Sequence, residues 1–454
     1  MSLPTRFDPF VEGANATVQV RMCVQRLIDP ETMNQLFEEL AENQYTRELT
    51  LAHIVDLMLD VACGQQPSPR AAFLSKKLQF KVSLAAFYAK LQRMELGVAE
   101  GIVRHTADEA RAIIQAVGGK RPELIPGFVT MVLDGNVLGG TERRLKVLRT
   151  TRAAPLPGKS LAVYEYASDL VADVILCEDA YVQERALLDR LEIMAGQLWI
   201  ADRNFCVRWF MDEIIQKNAC FLIRYHKSTL PYKAQGRRRL VGRCATGKVY
   251  ESMIKVEWND KIHILRRIVL ILDEPTRDGE TEIVLITNLP PEIGAILIAE
   301  TYRQRWTIEQ HFQRLTDLLH CEIPTLGYPR AALFAFAMSV VAGNALGMVK
   351  AGIRAEHGGE AVDNLSHFRV VDEVSHTYRG MMLAIPPEHW EFLNRCSIRE
   401  FAQTLRDVAR HFPVNEMRKT TRGPKKPRKN PSCKKHKHVS TKRLLDAATQ
   451  KNAC

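Results

Sequence analysis

The sequence predicts an α/β protein: a layered core, a helical N-terminal region and a β-rich insert. Three observations lead there. Apolar strands alternate with amphipathic helices between about residues 126 and 226 and again after 282. Two of those strands, "GFVTMVLDG" and "GQLWIADRNF", run into an aspartate. Between 227 and 281, "RRRLVGRCATG", "VYESMIKVEWND" and "KIHILRRIVLILDEP" have the alternating, β-branched texture of antiparallel strands.

The elements divide the chain as follows. Residues 1–120 carry helical periodicity, as in "LTLAHIVDLMLDVACG". Within them, 70–94 fits a helix-turn-helix bearing Arg70, Lys76, Lys77, Lys81, Lys90 and Arg93, a pattern shared by many helical hairpins. The first part of the core spans 121–226. There "RRLKVLRTT", "SLAVYEYA" and "LVADVILCE" read as strands beside "GFVTMVLDG", and "AYVQERALLDRLEIM" reads as a helix. After the insert at 227–281, the core resumes over 282–350, followed by a helical region at 351–417 and a basic tail at 418–454. A chain of 454 residues is too long for one compact core and suggests two or three domains.

The net charge of +11 is concentrated in that tail. Residues 418–443 hold twelve Lys or Arg and no acid; without them the chain has 51 basic and 52 acidic residues. With Pro424, Pro427 and Pro431 and almost nothing apolar, the tail is expected to be disordered when free. It suits a polyanion such as DNA, or serves solubility alone. Ten cysteines without a CxxC pair argue against a zinc ribbon and for a reducing compartment. The N-terminus lacks a basic-then-apolar signal sequence. "AALFAFAMSVVAGNALGMV", 331–349, nears the length of a membrane span, but its Ala and Gly content and central Asn344 favour a buried core helix.

"YRQRWTIEQHFQRL", 302–315, predicts a helix with an apolar stripe at Ile308, Phe312, Leu315 and Leu319. At about 100° per residue, Tyr302, Arg305 and Glu309 share a face roughly 90° from that stripe. A helix docked through the stripe therefore holds Glu309 at the edge of its contact, either as an ordinary Arg–Glu pair or as a functional acid. Asp134 and Asp202 raise the same question at strand ends. Asp134 fits a turn-forming Asp-Gly, and Asp202 fits an N-cap or a partner of Arg203. Carboxylates beside apolar strand ends are costly unless compensated. Brought together, the three would suit hard divalent cations, and two Mg²⁺ ions about 4 Å apart can drive phosphodiester chemistry.

"VTMVLDGNVL", "LWIADRNF" and "YRQRWTIEQHFQRL" together resemble the three catalytic blocks of DDE transposases with an RNase H-like core, and most closely the bacterial insertion-sequence-four family. Asp202, Arg203 and Phe205 match that family's Asp-Arg-x-Phe. Tyr302, Arg305 and Glu309 fill the first three positions of its Tyr-x₂-Arg-x₃-Glu-x₆-Lys signature. The last position departs from it: Thr316 stands where the family has Lys. The resemblance covers about 100–350 and extends to "LPGKSLAVYEY" and to "CEDAYVQERALL", which holds the acidic cluster Glu178, Asp179 and Glu184.

The resemblance implies an RNase H-like core, a mixed sheet flanked by helices and interrupted by the β-rich insert. Asp134, Asp202 and Glu309 would hold two Mg²⁺ ions, with Mn²⁺ as a substitute. Tyr302 and Arg305 would contact phosphate at the transposon end, and the insert would grip DNA nearby. Arg203, Arg224 and His226 are further phosphate candidates, or members of structural ion pairs. Trp258 could stack on an extruded base or belong to the core. The implied function is cut-and-paste transposition of a bacterial insertion sequence: recognition of terminal inverted repeats by a helical DNA-binding domain at 1–120, cleavage there, then strand transfer into target DNA. The enzyme would be cytoplasmic and nucleoid-associated, acting as a homodimer in its synaptic complex and away from membranes. The alternatives are a nuclease of the same fold without strand transfer and an inactive DNA-binding derivative.

Overall fold

The structure is a computed structural model that describes residues 3–453 apart from 45–47, 140, 259, 277–278 and 421–436. The N-terminal region is helical as expected, with helices at Asn15–Leu27, Pro30–Leu40, Leu51–Ala62, Pro69–Ser75, Leu84–Arg93 and Leu96–Val117. Side chains fix their starts: Asp29, Thr50, Ser68 and Ser83 each accept a backbone N–H three residues on. Gly118 ends the last of them at φ +76°, a conformation that favours glycine. Lys76, one of the basic residues of the candidate helix-turn-helix, turns inward to Asp56 and Asp60 at 2.5 and 2.8 Å.

The core is one nine-stranded sheet. Its strands are β1 (Val129–Val137), β3 (Lys159–Glu165), β4 (Leu170–Cys177), β5 (Gln197–Ala201), β6 (Cys220–Arg224), β7 (Lys233–Cys244), β8 (Gly247–Trp258), β9 (Lys261–Leu272) and β10 (Glu282–Thr287), in the order β4-β3-β1-β5-β6-β10-β9-β8-β7. The centre, β1-β5-β6, is parallel; the remaining pairings are antiparallel. The strands expected at 227–281 are present as β7, β8 and β9. They continue the main sheet, because β9 pairs with β10 along six residues.

Strand parity sorts side chains into two cores. Val132, Leu198, Ile200 and Leu222 face one cluster, and Met131, Leu133, Trp199, Ala201, Phe221 and Ile223 face the other. The Pro329–His357 helix runs through the first cluster with Phe334 and Phe336 fully buried. It is long and apolar enough to cross a membrane by length and composition, yet 94% of its apolar window is buried. Asn344 explains the polar residue in its middle: the side-chain amide accepts from Val171 N at 2.9 Å and donates to Val171 O at 3.0 Å. Asn344→Leu should orphan both backbone groups, costing about 1–3 kcal/mol for each. Urea unfolding that leaves the midpoint unchanged would refute this.

Other elements differ from expectation. "RRLKVLRTT" holds a short helix, Lys146–Arg149, instead of a strand. "AYVQERALLDRLEIM" is a 3-10 turn, Glu184–Arg190, followed by extended chain, which lets Leu191 and Ile193 join Leu187 and Leu188 in the second core. The helix expected across 302–315 is two, Ala295–Arg303 and Trp306–Leu318. The C-terminal end of the basic tail also has structure. Strand β11 (His438–Ser440) pairs in parallel with β2 (Ala154–Leu156), and the helix Thr441–Ala453 follows. Arg443 anchors it on Asp179 at 2.8 Å and lies over the Tyr181 ring. The middle of the tail, 421–436, lies outside the described residues.

Candidate functional site

Asp134 and Asp202 are brought together by register. The parallel pairing of β1 with β5 runs Met131–Trp199, Val132–Ile200 and Leu133–Ala201, so its next step sets Asp134 beside Asp202. Both continue the parity of Val132 and Ile200, the face that packs on the helices. Asp134 lies inside β1, and its Oδ1 accepts from Gly135 N at 3.0 Å. Asp202 begins the turn Arg203–Phe205, and its Oδ1 accepts from Asn204 N at 2.8 Å. The N-cap role open to Asp202 is thus real, and it occupies one carboxylate oxygen.

Glu309 comes from the same face of the sheet. Ile308, Phe312, Leu315 and Leu319 are buried in the first core and seat the Trp306–Leu318 helix there. At Gln304 and Arg305 the backbone bonds tighten to i−3 partners, Thr301 O and Tyr302 O, which separates the two helices. Arg305 caps the second helix and reaches back between the acids. One guanidinium nitrogen lies 3.4 Å from Asp134 Oδ2 and another 2.5 Å from Glu309 Oε1.

The acids bear on one another electrostatically. Burial pushes the Asp134 carboxyl up to about 7; Arg305 opposes that rise, while the nearby charges of Asp202 and Glu309 add to it. Three carboxylates from distant parts of the chain therefore share one field, with a single guanidinium bridging two of them. Hard oxygen donors with too little positive charge suit a divalent cation. Among the described residues, however, no set of three or more His, Cys, Asp or Glu is gathered tightly enough to hold a metal ion as it stands. The donors fit such an ion by chemistry, and Arg305 would have to yield the space between Asp134 and Glu309.

The remaining expected residues sit at varied distances from this centre. Tyr302 is buried, which pushes its hydroxyl up to about 12, and it is close enough to Arg305 to interact with it. A phosphate contact from Tyr302 would require it to emerge. Arg203 and Arg224 share Glu280, at 3.4 and 2.5 Å, the ion-pair alternative for both. His226 Nδ1 lies 2.9 Å from Ser228 Oγ. Trp258 has one ring face covered by Arg208, whose Cζ is 4.6 Å from the ring centre. Thr316 turns its hydroxyl to Phe312 O at 3.1 Å, bonding its own helix. Sequence reasoning passed over Asn204 and Glu280, whose side-chain partners, Glu184 for the first and Arg203 and Arg224 for the second, are remote in the chain. Asn204 had one signal, its place inside "DRNF".

Residues 159–340 match the family model described as the transposase DDE domain. The match supports a DDE transposase. It contains Asp202 and Glu309, whereas Asp134 lies on β1, ahead of the matched span. Among solved structures, the chain is similar to the piggyBac transposase in its synaptic complex with hairpin DNA. Identity is 10% and the TM-score 0.35, over 95% of this chain and 84% of that one. A TM-score that low assigns no common fold. No curated protein matches the chain.

Proposed function

We propose that this chain is a transposase that cleaves DNA at the inverted repeats of a bacterial insertion sequence and joins the freed ends to target DNA. Asp134, Asp202 and Glu309 are its metal-holding acids. The observation that carries this reading is the β1–β5 register, whose last pair Leu133–Ala201 is followed by Asp134 and Asp202, with Glu309 tied to Asp134 through Arg305. An RNase H-like core is supported by the order β4-β3-β1-β5-β6, with β3 antiparallel and β1, β5 and β6 parallel. Membership of the insertion-sequence-four family rests on Tyr302, Arg305 and Glu309 in their signature spacing and on "DRNF".

Mg²⁺ ions held by the three acids would supply activation of a water or 3′-hydroxyl and stabilisation of the leaving oxygen. The protein's own residues do the positioning. Arg305, released from the acids, presents a planar fork suited to a phosphate. The stripe from Ile308 to Leu319 holds Glu309 rigidly against the sheet. The chain's excess positive charge, concentrated at 418–443, adds sequence-independent DNA affinity that should weaken with salt. Juxtaposing two element ends calls for two copies of the chain.

The test is strand transfer. Pre-cut 3′-OH ends carrying the inverted repeat are mixed with supercoiled plasmid and Mg²⁺, and joined products are resolved on a gel. Joined product is expected. Hydrolysis without joining would replace the proposal with a nuclease, and DNA binding without either reaction would replace it with an inactive derivative. Thr316, bonded to its own helix in place of a phosphate-binding Lys, makes the comparison informative.

A further inference from the structure

Glu184 touches the segments that carry two of the three acids. Its carboxylate accepts from Asn204 Nδ2 at 2.7 Å, and Asn204 N in turn donates to Asp202 Oδ1 at 2.8 Å. The same side chain lies flat on Gly135, the residue after Asp134. A Cβ at 135 would sit 2.2 Å from Glu184 Oε1 and 2.3 Å from its Cδ. A side chain at 135 would therefore require the Glu184 carboxylate to move. Behind Glu184, Leu187 and Leu188 are buried in the second core and fix the start of the 3-10 turn.

We infer that Glu184 is a positioning residue. It braces the segments carrying Asp134 and Asp202 against each other and, by holding the Asn204 side chain, steadies the backbone N–H that bonds Asp202. The bond from Asn204 N orients the Asp202 carboxylate. Glu184 is aligned with the strand face opposite that of the Asp134 side chain, since Gly135 takes the alternate parity. It acts through Asn204 and Gly135. Outer partners of this kind typically change metal affinity by about 10- to 100-fold when removed.

This inference rests on the proposed metal-holding role of the acids, so the experiment tests the two separately. Mn²⁺ binding to the full-length protein is measured by calorimetry and by the spin-resonance signal of free ion. Glu184→Ala should weaken binding about tenfold, Asn204→Ala should do the same, and the double variant should be no worse than either alone. Glu184→Gln keeps an oxygen acceptor for Asn204 and should retain near-native affinity. Equal loss in Glu184→Gln and Glu184→Ala would overturn positioning, since charge would then be what matters. Unchanged affinity in Glu184→Ala and Asn204→Ala would also overturn it. If the unmodified protein binds no Mn²⁺, the proposed function itself fails. Asn204→Ala, which leaves Glu184 and Gly135 in place, keeps the test decisive should Glu184→Ala not fold.

Discussion

Asp134→Asn, Asp202→Asn and Glu309→Gln should each lower Mg²⁺-dependent DNA cleavage by about a thousandfold or more. On the proposed reading, each substitution would remove one anionic metal ligand and with it several kcal/mol of charge stabilisation in the transition state. DNA binding should survive, because affinity for the phosphate backbone comes from Lys and Arg side chains. The Asp134 variant carries an additional expectation. Its carboxylate is buried, and its ionised form is disfavoured by two neighbouring acids. Asp134→Asn should therefore raise the melting temperature of the metal-free protein at pH 8 while abolishing cleavage, a trade of stability for function. Gel assays with matched binding controls test the first part and thermal melts the second. Wild-type cleavage in any of the three variants would remove that residue from the site.

Affinity for a divalent ion should fall steeply below pH 7. Asp134 is pushed up to about 7, so a proton and the ion compete for it over the range in which most carboxylates are fully ionised. The sign follows from the direction of the shift. The folded state disfavours the charged form, so the metal-free protein has this group's full contribution to stability below its unfolded pKa. That contribution is lost as pH rises toward 7. A metal ion bound at Asp134, as proposed, would reverse the preference and expel the proton. With one proton displaced, affinity should drop about tenfold per unit below pH 7 and level off above it. Calorimetry at pH 6 in buffers of different ionisation heat should show about one proton released. Asp134→Asn should remove both effects, and a flat pH profile in the unmodified protein would dismiss Asp134 as the coupled group.

Much of this architecture was legible in local chemistry. The strands around Asp134 and Asp202, the three strands of 227–281 and the stripe seating Glu309 follow from hydrophobic period, which depends only on neighbours along the chain. Asn344 and the Ala and Gly around it correctly indicated a buried helix over a membrane span. Period failed where a distant partner decided the backbone. "AYVQERALLDRLEIM" has helical spacing, yet Leu191 and Ile193 reach the second core only from extended chain. The 438–453 segment follows a charged run and reads as tail, but β2 offers it a strand partner and Asp179 an ion pair.

By itself, then, the sequence determined the identities and spacing of Asp134, Asp202 and Glu309, and the elements on which each rides. Tertiary structure decided that β1 and β5 pair in the register that sets the two aspartates side by side. It also decided that Arg305 spans Asp134 and Glu309 while Arg203 and Arg224 are drawn to Glu280. The physical reason is range. Backbone periodicity is set within a few residues, whereas a carboxylate's pKa and partners depend on groups that only the folded sheet brings within a few ångströms.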